Sequence, residues 1–199
     1  MSAVLEEAGI VFMFAPLLHP AMRHVAPVRQ RLGVTTVMNL LGPLTNPAGA
    51  QRQVIGVSDP TQLDLVAESL RELGHLRALV VHGAPGMDEV SPSGPTEVAE
   101  VSESGLRRYQ VSPEEFGLEP ASLLSLAGGE PEENAEVIRA VLNGARGGPR
   151  TAVVLNAAAA IWVSGRVESL SEGVVIAERS IDEGAAGESL ERLRAATHA

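Results

Sequence analysis

The sequence predicts an α/β fold, with a partial and mostly parallel sheet flanked by helices. Three runs carry this expectation. Gln53 to Val57 is of β type, Leu63, Val66, Leu70 and Leu73 recur at helical spacing, and Ala78 to Val81 is a second run of buried-strand type. Strand, helix and strand with short joints make a βαβ unit, whose two strands lie parallel because the helix returns the chain across the sheet. The composition agrees. A chain that is 45% hydrophobic but only 3% aromatic builds its layers from Val, Leu and Ala. Its 199 residues suffice for one domain, 1–199, with its own core.

Ser2 to Ala8 reads as a short helix ended by Gly9, and Ile10 to Phe14 is an apolar run of strand length. His19 to Leu32 is helical in pattern and stops at Gly33. Val34, Val37, Met38 and Leu41 continue at helical spacing, with Gly42 as the C-terminal stop. Pro43 and Pro47 disfavour helix in the residues before them, so NLLGPLTNPAG (39–49) reads as a helix end followed by a stiff turn. Asp59-Pro60-Thr61-Gln62 is a helix start, with a capping residue, proline at the first helical position and Gln62 to complete a capping box. Gly74 ends that helix. Val98 to Val101 and Leu106 to Val111 alternate with polar residues around Gly105, which suits an exposed hairpin at a sheet edge. Ser112-Pro113-Glu114-Glu115 is another helix start. Pro131 to Leu142 is amphipathic and stops at Gly144, and Thr151 to Val163 is apolar nearly all round, interrupted by Asn156. Helices over Leu170 to Ile181 and Glu188 to Ala195 finish the chain.

The formal net charge is −10, and every Lys or Arg position is arginine. Such a surface repels phosphate backbones and anionic lipid, so nucleic acid and membrane are not expected partners. A local arginine can still hold a small anionic substrate. With no cysteine, disulfide and thiol chemistry are excluded. The longest apolar run, around Ala152 to Val163, is too short to span a bilayer. No basic segment followed by an apolar stretch and a cleavage site marks the start, so the cytoplasm is the expected location.

Two groups of residues could carry chemistry. Asp88 and Glu89 lie in HGAPGMDEVS, after the strand run Ala78 to Val81, where parallel sheets place their ligands. Adjacent carboxylates in a Gly- and Pro-rich loop can converge on Mg²⁺, which takes few protein ligands and completes its shell with water or phosphate oxygens. A solvated acidic loop is the plain alternative. Arg29 follows His19 by ten residues on the same helical pattern, in HPAMRHVAPVRQRLG. Its planar guanidinium suits a carboxylate or phosphate, and a surface arginine is the alternative reading. The histidines show no metal spacing, and His82 at a strand end reads as a hydrogen-bonded core residue.

HPAMRHVAPVRQRLG, then GPLTNP, then the βαβ unit, then VVHGAPGMDEVS and a helical tail opening GGEPEENAEVIRAVLNG resemble the anthranilate phosphoribosyltransferase family. GPLTNP is the specific segment; the acidic pair alone is not. The resemblance implies a shortened C-terminal domain of the nucleoside phosphorylase/phosphoribosyltransferase kind. It also implies transfer of the phosphoribosyl group from phosphoribosyl pyrophosphate (PRPP) to anthranilate, with Mg²⁺ as cofactor. Carried over by motif, Arg29 would hold the anthranilate carboxylate, and His19, Gly42 and Pro43 would line the anthranilate channel. Asp88 and Glu89 would hold Mg²⁺ on PRPP. Pyrimidine nucleoside phosphorylase, of the same fold family, and a non-catalytic binding protein are the alternative functions. The family's GTGGD loop, its asparagine-serine/threonine motif and its KHGN motif do not occur among these 199 residues. The sequence therefore corresponds to about the last three-fifths of such an enzyme, with little or no activity expected of it alone. The homodimer that the resemblance implies draws its contacts largely from a helical domain outside this stretch.

Overall fold

The computed structural model describes residues 1–14, 31 and 37–198. They fall into two compact units, one from Met1–Gly49 with Glu188–Ala199 and one from Ala50–Gly187.

In the first unit, α1 (Ser2–Ala8) ends at Gly9, whose φ of 74° is the left-handed geometry of a helix C-cap. Ile10 to Phe14 joins no sheet, and Phe12 is 74% exposed. A strand needs a neighbour to receive its N–H and C=O groups, and the described residues supply none. The second helix, α2 (Val37–Leu44), does not stop at Gly42. It encloses Pro43 and ends two residues later than expected. Proline removes only its own N–H, a small loss in a last turn. The turn is then closed by Thr45, whose N–H and Oγ1 both donate to Leu41 O, at 2.9 and 2.7 Å. Asn46 Oδ1 accepts from Ala48 N–H at 2.9 Å, so the rest of the stretch is an Asx turn ending at Gly49, with φ 63°.

The second unit carries the sheet. β1 (Arg52–Gly56) leads through a 3-10 turn at Pro60–Gln62 into α3 (Leu63–Glu72) and back to β2 (Arg77–Gly83). Asp59 accepts from Thr61 N–H at 3.0 Å as the helix start requires, while Gln62 reaches only the Asp59 carboxylate, at 3.5 Å, instead of closing a capping box. β1 and β2 pair in parallel with Ile55 opposite Val80, so the βαβ unit forms as expected. β3 (Thr96–Ser102) and β4 (Gly105–Val111) add two antiparallel pairings, giving the order β1-β2-β3-β4. The α/β class holds, but among the described residues the sheet is mixed, with one parallel pair. The hairpin is also less exposed than its sequence implies. β3 lies between β2 and β4, so Val98, Ala99 and Val101 are buried, and of the two hairpin strands β4 alone is at an edge.

The helix start at Ser112 yields a capping box but only a 3-10 turn, Pro113–Phe116, stopped by Gly117 at φ 72°. α4 (Pro131–Leu142), α5 (Gly148–Val163), α6 (Leu170–Asp182) and α7 (Ala185–His198) follow. α7 extends beyond the expected Glu188–Ala195 at both ends. α3 packs against β2 and β3. On the α5 side, Leu79, Val81, Val98 and Val111 meet Leu155, Ala159, Trp162 and Val163 in one buried cluster. α5 is apolar on two faces because α6 covers it in turn, with Val154 and Ala158 packed against Val174, Ala177 and Ile181. Arg52 and Arg77 tie the other end of α5 to the sheet. They donate to Val163 O at 2.7 Å and Trp162 O at 3.1 Å, two of the last carbonyls of the helix.

The α5–α6 crossing is set by Gly173. A β-carbon there would meet Ala158 backbone atoms at 2.8–3.3 Å. Gly173→Ala is expected to lower stability by about 1–3 kcal/mol, as overpacking does. Gly187→Ala, in α7 with open space around it, is expected to raise stability by about 0.5–1 kcal/mol through helix propensity. Urea midpoints of the two variants check the opposite signs.

Candidate active site

β1 and β2 end side by side, Gly56 beside Val81 and Gly83 two residues beyond. Side chains alternate along a strand. Positions 54, 79 and 81 face α5, since those residues pack in its cluster. Gly56 and Gly83 share that face and leave it empty at the carboxyl ends of both strands. The loop after β2 fills the space. A β-carbon on Gly56 would fall on the backbone of Asp88, and one on Gly83 would collide with the Glu89 carbonyl and with Ser91. The acidic pair is therefore laid across the ends of the two parallel strands.

The loop is held from three sides. Gly83 and Met87 exchange two backbone hydrogen bonds, 2.9 and 2.7 Å, and Ala84 N–H donates to Pro95 O at 2.9 Å. Ser91 is fully buried. Its Oγ donates to Ala84 O at 2.5 Å and accepts from Ser93 N–H at 3.1 Å, while its own N–H donates to Thr96 Oγ1 at 2.8 Å. From α5, Asn156 Oδ1 accepts from Val90 N–H at 2.9 Å and Asn156 Nδ2 donates to Val90 O at 3.0 Å. Behind the loop, His82 Nδ1 lies 2.9 Å from Val57 O. A carbonyl only accepts, so Nδ1 carries the proton and His82 is a hydrogen-bonded structural residue, as its sequence position suggested.

Asp88 and Glu89 both reach solvent. Neither takes part in a salt bridge among the described residues. Partial burial pushes the Glu89 carboxyl above its ordinary value of 4.5, and the neighbouring Asp88 charge adds to the rise. Two adjacent anionic oxygen donors, uncompensated by any described cation and fixed by a rigid loop, fit a hard divalent cation such as Mg²⁺. Among the described residues no three His, Cys, Asp or Glu side chains gather into a fuller metal cage.

The other expected site residues are placed differently. Gly42 and Pro43 sit together and exposed in the last turn of α2, in the first unit. In that unit Pro47 and Ala48 line a cavity of about 250 Å³ with Leu5, Val11 and Met13. His19 and Arg29 lie outside the described residues. Sequence reasoning missed Gly56, Gly83 and Asn156. The available signals were glycine as the last residue of two parallel strands and a lone amide inside the apolar run Ala152 to Val163.

A family model described as the glycosyl transferase family, a/b domain, matches residues 1–187. The chain is 54% identical over 194 residues to the anthranilate phosphoribosyltransferase of Rubrobacter xylanophilus, a match covering 97% of this chain and 57% of that protein. It is 48% identical over 191 residues to that of Methanosphaerula palustris, covering 96% and 56%. The crystal structure of anthranilate phosphoribosyltransferase from Thermus thermophilus superposes with a TM-score of 0.91 at 49% identity, over 98% of this chain and 58% of that one. The Saccharomyces cerevisiae enzyme in complex with PRPP and Mg gives a TM-score of 0.81 at 32% identity, over 89% and 52%. The chain thus spans just over half the length of the curated relatives it matches.

The Glu89 environment makes a signed prediction. Its raised carboxyl pKa means that ionisation costs more in the folded than in the unfolded chain. The penalty is absent below pH 4.5 and grows as pH rises through and above that value. Glu89→Gln removes it. The variant is expected to melt above the parent at pH 7 and level with it at pH 3.5 or below, checked by thermal unfolding across pH.

Proposed function

The chain belongs to the glycosyl transferase family, a/b domain, and on that premise we propose that it forms the Mg²⁺-PRPP-holding part of an anthranilate phosphoribosyltransferase. The observation that carries the reading is the seating of Asp88 and Glu89 over Gly56 and Gly83 at the carboxyl ends of the parallel strands. The relatives support the chemistry, since solved yeast structures of this enzyme carry PRPP with Mg and 4-fluoroanthranilate.

In the proposed reaction the amino nitrogen of anthranilate attacks the ribose carbon that bears pyrophosphate. The C–O bond to pyrophosphate breaks, the bonding pair leaves with it, and the amine proton goes to solvent. Bound Mg²⁺ supplies neutralisation of the negative charge that gathers on the leaving group. Asp88 and Glu89 contribute hard oxygen donors, and the Glu89 carboxylate is already partly desolvated and set against the Asp88 charge, so a cation relieves a cost the fold carries. Their loop is fixed before substrate arrives, and little ordering is left for the binding step. Arg29 offers a bidentate fork for the anthranilate carboxylate, and His19, Gly42 and Pro43 wall its channel; these four roles rest on motif. The same reading places the enzyme in the cytoplasm as a homodimer. No helix of the described residues is long and apolar enough to cross a membrane. Within these 199 residues no glycine-rich cradle for pyrophosphate occurs, and we propose that this stretch does not turn over by itself.

The test is the double variant Asp88→Asn with Glu89→Gln in the complete transferase carrying this segment. The expected loss in kcat/KM for PRPP is on the order of 100-fold, or about 2.7 kcal/mol. The KM for anthranilate should change little and the thermal midpoint should not fall. Unaltered dependence on PRPP and Mg²⁺ would reduce the pair to a solvated loop.

A further inference from the structure

One side chain on α5 spends all its polar atoms on holding the acidic loop. Asn156 Oδ1 accepts from Val90 N–H, and Nδ2 donates to Val90 O and to Ala152 O, both at 3.0 Å. Nδ2 also stands 3.4 Å from Glu89 Oε2. An amide nitrogen has two hydrogens and here faces three acceptors, so one contact must be the loose one. By distance it is the Glu89 carboxylate.

We infer that Asn156 is a positioning residue for the Asp88–Glu89 pair: it clamps the backbone next to Glu89 while leaving the carboxylate free to turn to a cation. The inference rests on the reading that this pair holds Mg²⁺. The geometry separates the two duties. Bonds to both the N–H and the C=O of Val90 imitate a strand partner, so the residue after Glu89 is fixed as firmly as if it lay in the sheet. The bond to Ala152 O, one turn back on the same helix, fixes the amide itself. Gly56 and Gly83 let the backbone of the pair rest against the strand ends, and Asn156 holds the next residue from α5, so the loop is fixed while both carboxylates still reach solvent. An amide suits this place better than a charged group. It serves a donor and an acceptor at once, and it neither competes for the cation as a carboxylate would nor repels it as an arginine would.

The test follows Mg²⁺ alone, added to the 199-residue chain, by the shifts of the Asp88, Glu89 and Val90 amide signals, with hydrogen exchange at Val90 as a second readout. Asn156→Leu, close in volume and compatible with an apolar helix, is expected to raise the Mg²⁺ midpoint roughly 10-fold or more, as losing a residue that orients a ligand does, and to speed Val90 exchange. Val163→Ala, at the far end of the same helix, lowers stability without touching the loop and is expected to leave both unchanged. An Asn156→Leu midpoint equal to the parent's, or to that of Val163→Ala, would overturn the inference while leaving the metal reading intact. Should Asn156→Leu fail to fold, Asn156→Ala, which admits water to Val90, is read in the same way. Asp88→Asn with Glu89→Gln is run alongside. If it retained the parental midpoint, the metal reading would fall and this inference with it, a result distinct from the failure of Asn156 alone.

Discussion

Where β1 ends, the backbone of Asp88 occupies the volume that a side chain on residue 56 would fill. That one exclusion organises the site. It requires glycine at position 56, and at 83 for the same reason one strand over. It brings two carboxylates to the place where a parallel pair of strands stops and its last backbone groups face outward. From α5, Asn156 reaches Val90 and holds the loop in that place. The height of α5 depends in turn on its two covers: the sheet cluster around Leu79 and Val81 on one face, and α6, pressed close by Gly173, on the other. Each buried aliphatic side chain in those clusters contributes about 1.5–3 kcal/mol, several times the yield of an exposed ion pair, about 0–1 kcal/mol. The precision of a polar loop is thus supplied mainly by apolar packing two layers away.

The charge pattern follows the same division. In a chain of net charge −10 with no lysine, several of the described arginines join one element to another. Arg52 and Arg77 reach the last carbonyls of α5, and Arg77 also stacks over Trp162 at 4.5 Å. Arg108 bridges Asp64 on α3 to Glu97 on β3. Arg150, buried near the start of α5, meets Asp182 at the end of α6 and holds that carboxyl below its ordinary value. A planar fork can serve two partners at once, which a lysine ammonium does less well. Asp88 and Glu89 stand apart from this pattern. They face each other's charge without a described cation, and the Glu89 carboxyl is displaced upward by burial and by that neighbouring charge.

Local patterns were legible where one residue type has one physical use. The βαβ unit was readable because helical spacing at Leu63, Val66 and Leu70 sits between two β-type runs, and its two strands pair in parallel as expected. The acidic pair was readable because its loop follows a buried strand. The depth of the hairpin was not, because alternation in β3 reports which face is polar but not which strand lies next to it; Glu100 is polar in sequence yet 7% exposed, being paired with Arg107. The end of α2 was misplaced because Pro43 forbids less than expected once Thr45 supplies two donors to Leu41 O. Asn156 registered only as a break in an apolar run. Its partner, Val90, is 66 residues away in the chain, and no local pattern carries that separation.

The most direct test of the central claim is a map of where a divalent cation sits on this chain. Mn²⁺ in place of Mg²⁺ broadens amide signals steeply with proximity, so the order in which signals vanish locates the ion without reliance on turnover. The Asp88, Glu89 and Val90 signals are expected to vanish first and Gly56 with them, with the acidic start of α4 at Glu130, Glu132 and Glu133 affected later. Broadening centred on α4, or spread evenly over the acidic surface, would contradict the claim that the strand-end glycines build a cation site.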